Sequence, residues 1–224
     1  MNSAEPIISW SDLVQWGKEH YRHRHFAKEA TIPTRPGILY LVHQGAVRLL
    51  SFAPAGAQPV FLGIWRAGQP FTVVGHPQFK IQVYAQLDNT GVIWLYWREL
   101  QQYPDLYQQI LEQFHQRHQS QLINLSLLGQ KSTLQRLLHF LALLCQEVGE
   151  ISPEGYCLPF PLTHSQIAQA IAASRVTVTR LLSRLQKQGV VSKLADQYLC
   201  INLAVLQSQG QSSLLQTTGT ETEC

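Results

Sequence analysis

The stretch from Leu162 to Gly189 constrains this chain most, because two helix starts stand eleven residues apart within it. Thr163 with Gln166 three residues on is a capping box, in which the hydroxyl and the amide side chain satisfy each other's backbone N–H. Ser174 supplies a second N-cap. Ile167, Ala168 and Ile171 follow the first start, and Val178, Leu181, Leu182 and Leu185 follow the second at helical spacing, each set facing a core. The first helix stops at Ala172-Ala173 and the second runs to about Gln188, with Gly189 at its end. Only a tight turn fits between them. Val190 to Lys193 and Tyr198 to Ile201 then read as a hairpin, so the segment predicts a helix-turn-helix with a wing.

The face turned away from that core is built for contact. Arg175, Val176, Thr179, Arg180 and Arg184 share it, and between Thr163 and Lys193 stand five Lys or Arg and no Asp or Glu. Charged residues make up only 14% of the chain, so this local excess suits a polyanion. The net charge of +3 by itself would not suggest nucleic acid; the asymmetry does.

At 224 residues and 45% hydrophobic content the chain can bury one large core or two small ones. No apolar run approaches the roughly 18 residues a membrane span needs. Met1 to Trp10 lacks the basic start and apolar stretch of a signal peptide, and the expectation is a cytoplasmic protein without a membrane partner. Cys145, Cys157, Cys200 and Cys224 are scattered, with no metal-ligand spacing, and are expected as reduced thiols, Cys145 as core filling.

Near the amino end Ser9 or Ser11 can cap a helix carrying Leu13, Val14 and Trp16, which runs into His20-Tyr21-Arg22-His23-Arg24-His25. Alternating histidines do not share a helix face, and on a strand such a row needs a partner row, so the segment reads as solvated and basic, and no metal site is assigned. From Arg35 to Trp97 short segments at Ile38 to His43, Val47 to Phe52, Val60 to Trp65, Lys80 to Gln86 and Val92 to Trp97 alternate with turns, among them Gly45, Pro54-Ala55-Gly56 and Asn89-Thr90-Gly91. This predicts an antiparallel β module of about eight strands, either a ligand sensor or a filled scaffold.

After Pro104 the period becomes helical. Leu106, Ile110, Phe114, Leu122, Leu125 and Leu128 form a stripe on a helix from about Pro104 to Leu128, about 35 Å long at 1.5 Å per residue. Two copies could pair along it, or it could pack on its own domain. A break at Gly129-Gln130 precedes a second amphipathic helix with Leu134, Leu137, Leu138, Leu141, Leu144 and Val148 inward and Gly149 as its stop. Ile151 to Gly155 reads as a turn and Tyr156 to Phe160 as a short strand. Beyond Leu206 the Gln/Ser/Thr-rich chain has little to bury and reads as disordered.

The expected fold class is therefore α+β. Residues 1–30 form an N-terminal helical segment, 31–100 an antiparallel β-roll of the jelly-roll kind, 101–130 a dimerisation helix, 131–205 a winged helix-turn-helix and 206–224 a tail.

Leu162-Thr163-x-x-Gln166-Ile167-Ala168-x-x-Ile171-x-x-Ser174-Arg175-Val176-Thr177-Val178-Thr179-Arg180-Leu181-Leu182 resembles the helix-turn-helix of the CRP/FNR family of bacterial transcription regulators. The run from Arg175 to Leu182 looks especially like that of cyanobacterial nitrogen-control regulators of the NtcA type. Gly37-x-x-Tyr40-x-Val42-x-x-Gly45-x-Val47 is similar to the start of that family's β-roll. The resemblance implies a homodimer that binds a palindromic site on double-stranded DNA and contacts RNA polymerase. Arg175, Val176 and Arg180 would read bases: an Arg can donate two hydrogen bonds to guanine, and an apolar β-branched side chain suits a thymine methyl. Where Val176 stands the family often has Glu, so the expected half-site contains GTA. Thr163, Ser174 and Thr177 match positions that hold phosphates.

Departures from the family limit its effector chemistry. Gly68-Gln69-Pro70-Phe71-Thr72-Val73-Val74-Gly75 is followed by His76 to Gln82 with no Arg, and a cyclic phosphate needs a cationic fork, which argues against cyclic AMP. The cysteine cluster of iron–sulfur members is absent. Phe71-Thr72-Val73-Val74 stands where nitrogen-control regulators line a 2-oxoglutarate pocket, but only Lys80 and Lys131 lie near the places of the pairing arginines, and a lysine is no bidentate fork. No cofactor is expected and no effector residue is assigned. Asp88 and Glu99 are sparse carboxylates, His43 and His76 stand isolated, and no catalytic constellation is present, so no enzyme is expected. The alternative function is a sensing or scaffolding module whose winged helix contacts protein.

Overall fold

The computed structural model describes residues 10–20, 22–53, 58–153, 155–193 and 198–206. The Pro54-Ala55-Gly56 turn, Ser9, Tyr21, Glu154, Cys224 and the tail from residue 207 on lie outside the described residues. The chain divides into two units, residues 1–126 and 127–224.

The first unit opens with helix α1 (Trp10–Glu19), whose Leu13 is buried. Eight strands follow: β1 (His23–Phe26), β2 (Thr31–Ile32), β3 (Ile38–Gln44), β4 (Ala46–Phe52), β5 (Val60–Arg66), β6 (Pro70–Phe71), β7 (Lys80–Ala85) and β8 (Thr90–Tyr96). They form two antiparallel sheets, ordered β1-β8-β3-β6 and β2-β7-β4-β5. The expected β-roll is thus present but starts earlier. Residues 23–26 are a strand paired with β8 rather than part of a helical segment, because β8 offers an open edge to which His23–Phe26 can bond.

Why Ile38 to Val42 is nearly all apolar becomes clear from the packing. Successive strand residues point to opposite faces, and here both faces are covered. Tyr40, Val42 and Val92 face the interior between the sheets, with Val47, Leu49, Trp65, Phe71 and Val83. Leu39, Leu41, Ile93 and Leu95 face a second cluster made with Leu13, Leu100, Leu106 and Ile110. The last three come from α2 (Trp97–Leu100) and α3 (Pro104–Leu128). Gly45 turns β3 into β4 at φ 72°, where an added Cβ would also press on the buried Thr90.

The stripe on α3 therefore serves two ends. Leu106 and Ile110 are buried in the roll's second cluster with Phe114 against it, whereas Leu122, Ile123 and Leu125 are exposed at 50%, 50% and 65%.

In the second unit α4 (Thr133–Val148) ends at Gly149, as the spacing predicts, and starts at a Ser132 cap that the sequence reading did not assign. The segment read as a turn is instead a hairpin of β9 (Glu150–Ser152) and β10 (Gly155–Cys157). Helices α5 (His164–Ala170) and α6 (Arg175–Lys187) come next, then β11 (Val191–Lys193), β12 (Leu199–Ile201) and α7 (Leu203–Leu206). The strands form one sheet, β11-β12-β10-β9.

The cysteine expectation is overturned here. Cys157 and Cys200 are joined by a disulfide 43 residues apart in sequence, since the β10–β12 register sets them directly opposite each other. Cys145 is free and buried, and burial pushes its thiol up to about 12. Among the described residues no helix is long and apolar enough to cross a membrane.

Candidate nucleic-acid interface

The site is assembled from caps. Thr163 Oγ1 accepts from the Gln166 backbone N–H at 3.1 Å while the Gln166 side chain accepts from the Thr163 N–H at 2.9 Å, closing the capping box that starts α5. Ser174 Oγ accepts from the Thr177 N–H at 3.1 Å and lies 2.9 Å from the Thr177 hydroxyl, starting α6. Between the two helices Ala172 sits at φ 49°, a left-handed conformation that this turn demands and that glycine would adopt without steric penalty. Gly189, at φ 70°, ends α6.

Arg136 of α4 holds the turn from behind. Its Nε donates to the Ile171 carbonyl at 2.8 Å and its Nη1 to the Gln130 carbonyl at 2.7 Å. Sequence reasoning missed this residue, although an arginine inside the apolar run Leu134 to Leu138 was a signal. Ile167, Ile171, Val178, Leu182 and Leu185 are buried as the spacing predicts, and Leu181 is half-buried.

Arg175, Val176, Thr179, Arg180 and Arg184 are all exposed, Val176 at 79%. Arg175 opens α6, Val176 follows it, and Arg180 stands little more than a turn further on. None of these arginines, nor Lys187 or Lys193, is in an ion pair among the described residues. Among the described residues the positive charge of this face is therefore uncompensated. Thr163 and Ser174 are exposed beside it and Thr177 is half-buried; Thr163 and Ser174 accept in the caps, and because the Ser174 and Thr177 hydroxyls share one hydrogen bond, Thr163 keeps a proton to donate outward and the Ser174–Thr177 pair keeps one.

One contact ties the two helices together on this face. His164 Nδ1 lies 2.8 Å from Thr179 Oγ1, and that hydroxyl bonds the Arg175 carbonyl at 3.0 Å. Burial, then Lys193 and Arg175, hold the His164 pKa below its usual value.

The roll contains cations that sequence reasoning did not count. Arg48 of β4 is buried, paired with Glu29, bonded to Gln86 Oε1 at 3.0 Å and set over the Tyr84 ring. Arg117 of α3 lies 4.1 Å above the Trp65 ring, beside Gly63. Lys80 and Lys131 are exposed and belong to different units. His43 is not isolated: its ring meets those of His23 and His25 at 6.4 and 5.1 Å, in the space left by Gly91. His76 leans on Phe79, with ring centroids 5.3 Å apart. Among the described residues no group of three His, Cys, Asp or Glu is arranged to hold a metal ion.

A β-roll, a long helix and a capped helix-turn-helix with a wing define a winged-helix protein of the cyclic-nucleotide-binding-like fold. Residues 135–208 match the Crp-like helix-turn-helix domain family. A global nitrogen regulator of Synechocystis sp. (strain ATCC 27184 / PCC 6803 / Kazusa) is 34% identical over 93 residues, 42% of this chain and 41% of the relative. The chain thus matches about two fifths of the length of that curated relative. A CooA mutant from Carboxydothermus hydrogenoformans superposes with a TM-score of 0.67 at 22% identity, covering 84% of this chain and 87% of the other. A CRP-family transcriptional regulator from Thermus thermophilus superposes with a TM-score of 0.66 at 21% identity, covering 83% and 95%. The chain has the fold of the CRP/FNR regulators, and residues 135–208, which hold its helix-turn-helix, match the Crp-like domain model.

Proposed function

We propose that this chain is a dimeric, sequence-specific transcription regulator of the CRP/FNR type that binds a palindromic site on double-stranded DNA. The observation that carries the reading is the outer face of α6: a capped helix whose arginines are exposed and, among the described residues, in no ion pair, within a stretch from Thr163 to Lys193 free of carboxylates. A helix of this kind fits the major groove, where Arg175 and Arg180 would each donate to guanine and Val176 would touch a thymine methyl. Thr163, Ser174 and Thr177 would donate to phosphates and set the register. With Val in place of an acceptor at 176, the half-site contains GTA. Exposed Leu122, Ile123 and Leu125 on α3 are the surface on which a second copy would pair. RNA polymerase is the further partner, the protein works in the cytoplasm, and it is not an enzyme.

The effector side differs from the family's usual chemistry. The roll lacks the arginine after Gly68 that a cyclic phosphate needs, and its buried Arg48 is already neutralised by Glu29. We read neither cyclic AMP nor 2-oxoglutarate as its ligand, and no iron–sulfur cluster as its cofactor.

Selection of bound duplexes from a random pool by the purified protein tests the reading. Paired half-sites containing GTA, spaced about one helical turn apart, are expected. Selection of no sequence, with no duplex shifted at physiological salt, would instead favour a winged helix that contacts protein.

A further inference from the structure

His164 stands where the supporting helix, the recognition helix and the wing meet. It is the first residue of α5, its ring reaches Thr179 on α6, and Lys193 of β11 is among the charges that act on it. The hydroxyl of Thr179 has one proton, and its bond to the Arg175 carbonyl, 3.0 Å away and four residues back, uses it. Thr179 Oγ1 therefore accepts from His164, so the Nδ1 of the ring carries hydrogen. Nε2 has no hydrogen-bond partner among the described residues.

That arrangement makes the ring's second nitrogen the variable one. Neutral, with Nδ1 protonated, it offers a lone pair at Nε2, which phosphate oxygens repel. Protonated, it offers a second donor and a positive charge beside Arg175 and Lys193. In the free protein those two cations and burial oppose protonation. A phosphate brought to this face reverses the balance, since it screens the cations and accepts the new N–H.

Resting on the DNA-binding reading, we infer that His164 is a phosphate ligand in its imidazolium form, so that complex formation takes up a proton at Nε2. The residue does more than add charge. Through Thr179 it bears on the turn of α6 that carries Arg175, so phosphate contact and placement of the base-reading arginine share one hydrogen-bonded chain. The charged groups that face the ring are Arg175 from α6 and Lys193 from β11.

The experiment measures affinity of the full chain for a selected duplex by fluorescence anisotropy, at fixed ionic strength from about pH 8 to about pH 6, the range in which histidine titrates. The parent is expected to bind severalfold tighter per subunit at the acidic end, part of the roughly tenfold limit that a rise of ~1 pKa unit on binding sets at lower pH, with a salt slope steeper by up to about one per subunit. His164→Gln, which can still bond Thr179 but cannot charge, is expected to give a flat profile at the weak value. His164→Arg, always charged, is expected to be flat at the tight value. A parent profile without pH dependence, or a His164→Gln profile that tracks the parent's, overturns the inference while leaving DNA binding intact. Absence of binding at every pH would remove the DNA-binding reading and this inference with it.

Discussion

Cys157 and Cys200 face each other across β10 and β12 and are bonded, closing a loop of 43 residues that contains both helices of the helix-turn-helix. A cross-link of that span removes conformational freedom from the unfolded chain worth about 4 kcal/mol, less any cost in the native state. Reduction, or a Cys157→Ser/Cys200→Ser double substitution, is expected to lower the unfolding free energy of the second unit by about 2–4 kcal/mol. Thermal melts with and without a dithiol reductant check this, and identical melts would show that the bond adds nothing.

Ala172 holds φ 49° in the turn between α5 and α6. An L-residue with a Cβ is penalised there by roughly 1–2 kcal/mol, offset in part by the greater unfolded-state freedom of glycine. Ala172→Gly should therefore stabilise the second unit by up to about 1 kcal/mol, and Ala172→Val should weaken it. Urea titration of the two variants against the parent gives the sign directly.

His43 lies among His23, His25 and Lys18, and burial first, then those neighbours, lower its pKa to about 4. The unfolded chain binds this proton more readily than the folded one, so stability rises with pH across the interval between the two values. Acidification from the ordinary histidine value of 6.5 toward about 4 is expected to weaken the roll progressively. His43→Gln should flatten that part of the profile, as read by tryptophan fluorescence in denaturant at pH values on either side of the interval. An unchanged slope in the variant would assign the acid sensitivity elsewhere.

Leu122, Ile123 and Leu125 leave apolar surface open on the second half of α3. Leu122→Glu/Leu125→Glu is expected to shift the chain from dimer to monomer in sedimentation velocity without unfolding the roll, because the roll's own share of the helix, Leu106 and Ile110, is untouched. A parent that sediments as a monomer at every concentration would remove the pairing surface from the proposal.

Arg175→Ala should cost about 1–3 kcal/mol of affinity at the cognate site and relax preference at one base pair per half-site. Thr163→Ala should weaken cognate and scrambled duplexes alike, since a phosphate contact carries no sequence information. Competition titrations with single-base variants separate the two behaviours.

Local chemistry made much of this protein legible in advance. The Thr163/Gln166 capping box, the Ser174 cap, Gly149, Gly189 and the periodicity of Leu106 to Ile110 and Val178 to Leu185 each act within a few residues, and each lies where its spacing predicts. Exposure of Arg175, Val176 and Arg180 followed from the same periodicity. Other features depend on partners far along the chain. His23–Phe26 becomes a strand because β8 has a free edge, and His43 joins His23 and His25 because Gly91 leaves room across that strand.

Sequence alone thus determined the two-part α+β plan, the helix-turn-helix with its wing and the basic, carboxylate-free outer face, all consequences of hydrogen-bond caps and side-chain period. Tertiary structure decided the Cys157–Cys200 bond, the neutralisation of Arg48 by Glu29, the division of α3 between core and exposed stripe, and the His164–Thr179 link. These depend on strand register and on which surface another element covers, and such distances in space have no local signature in the order of residues.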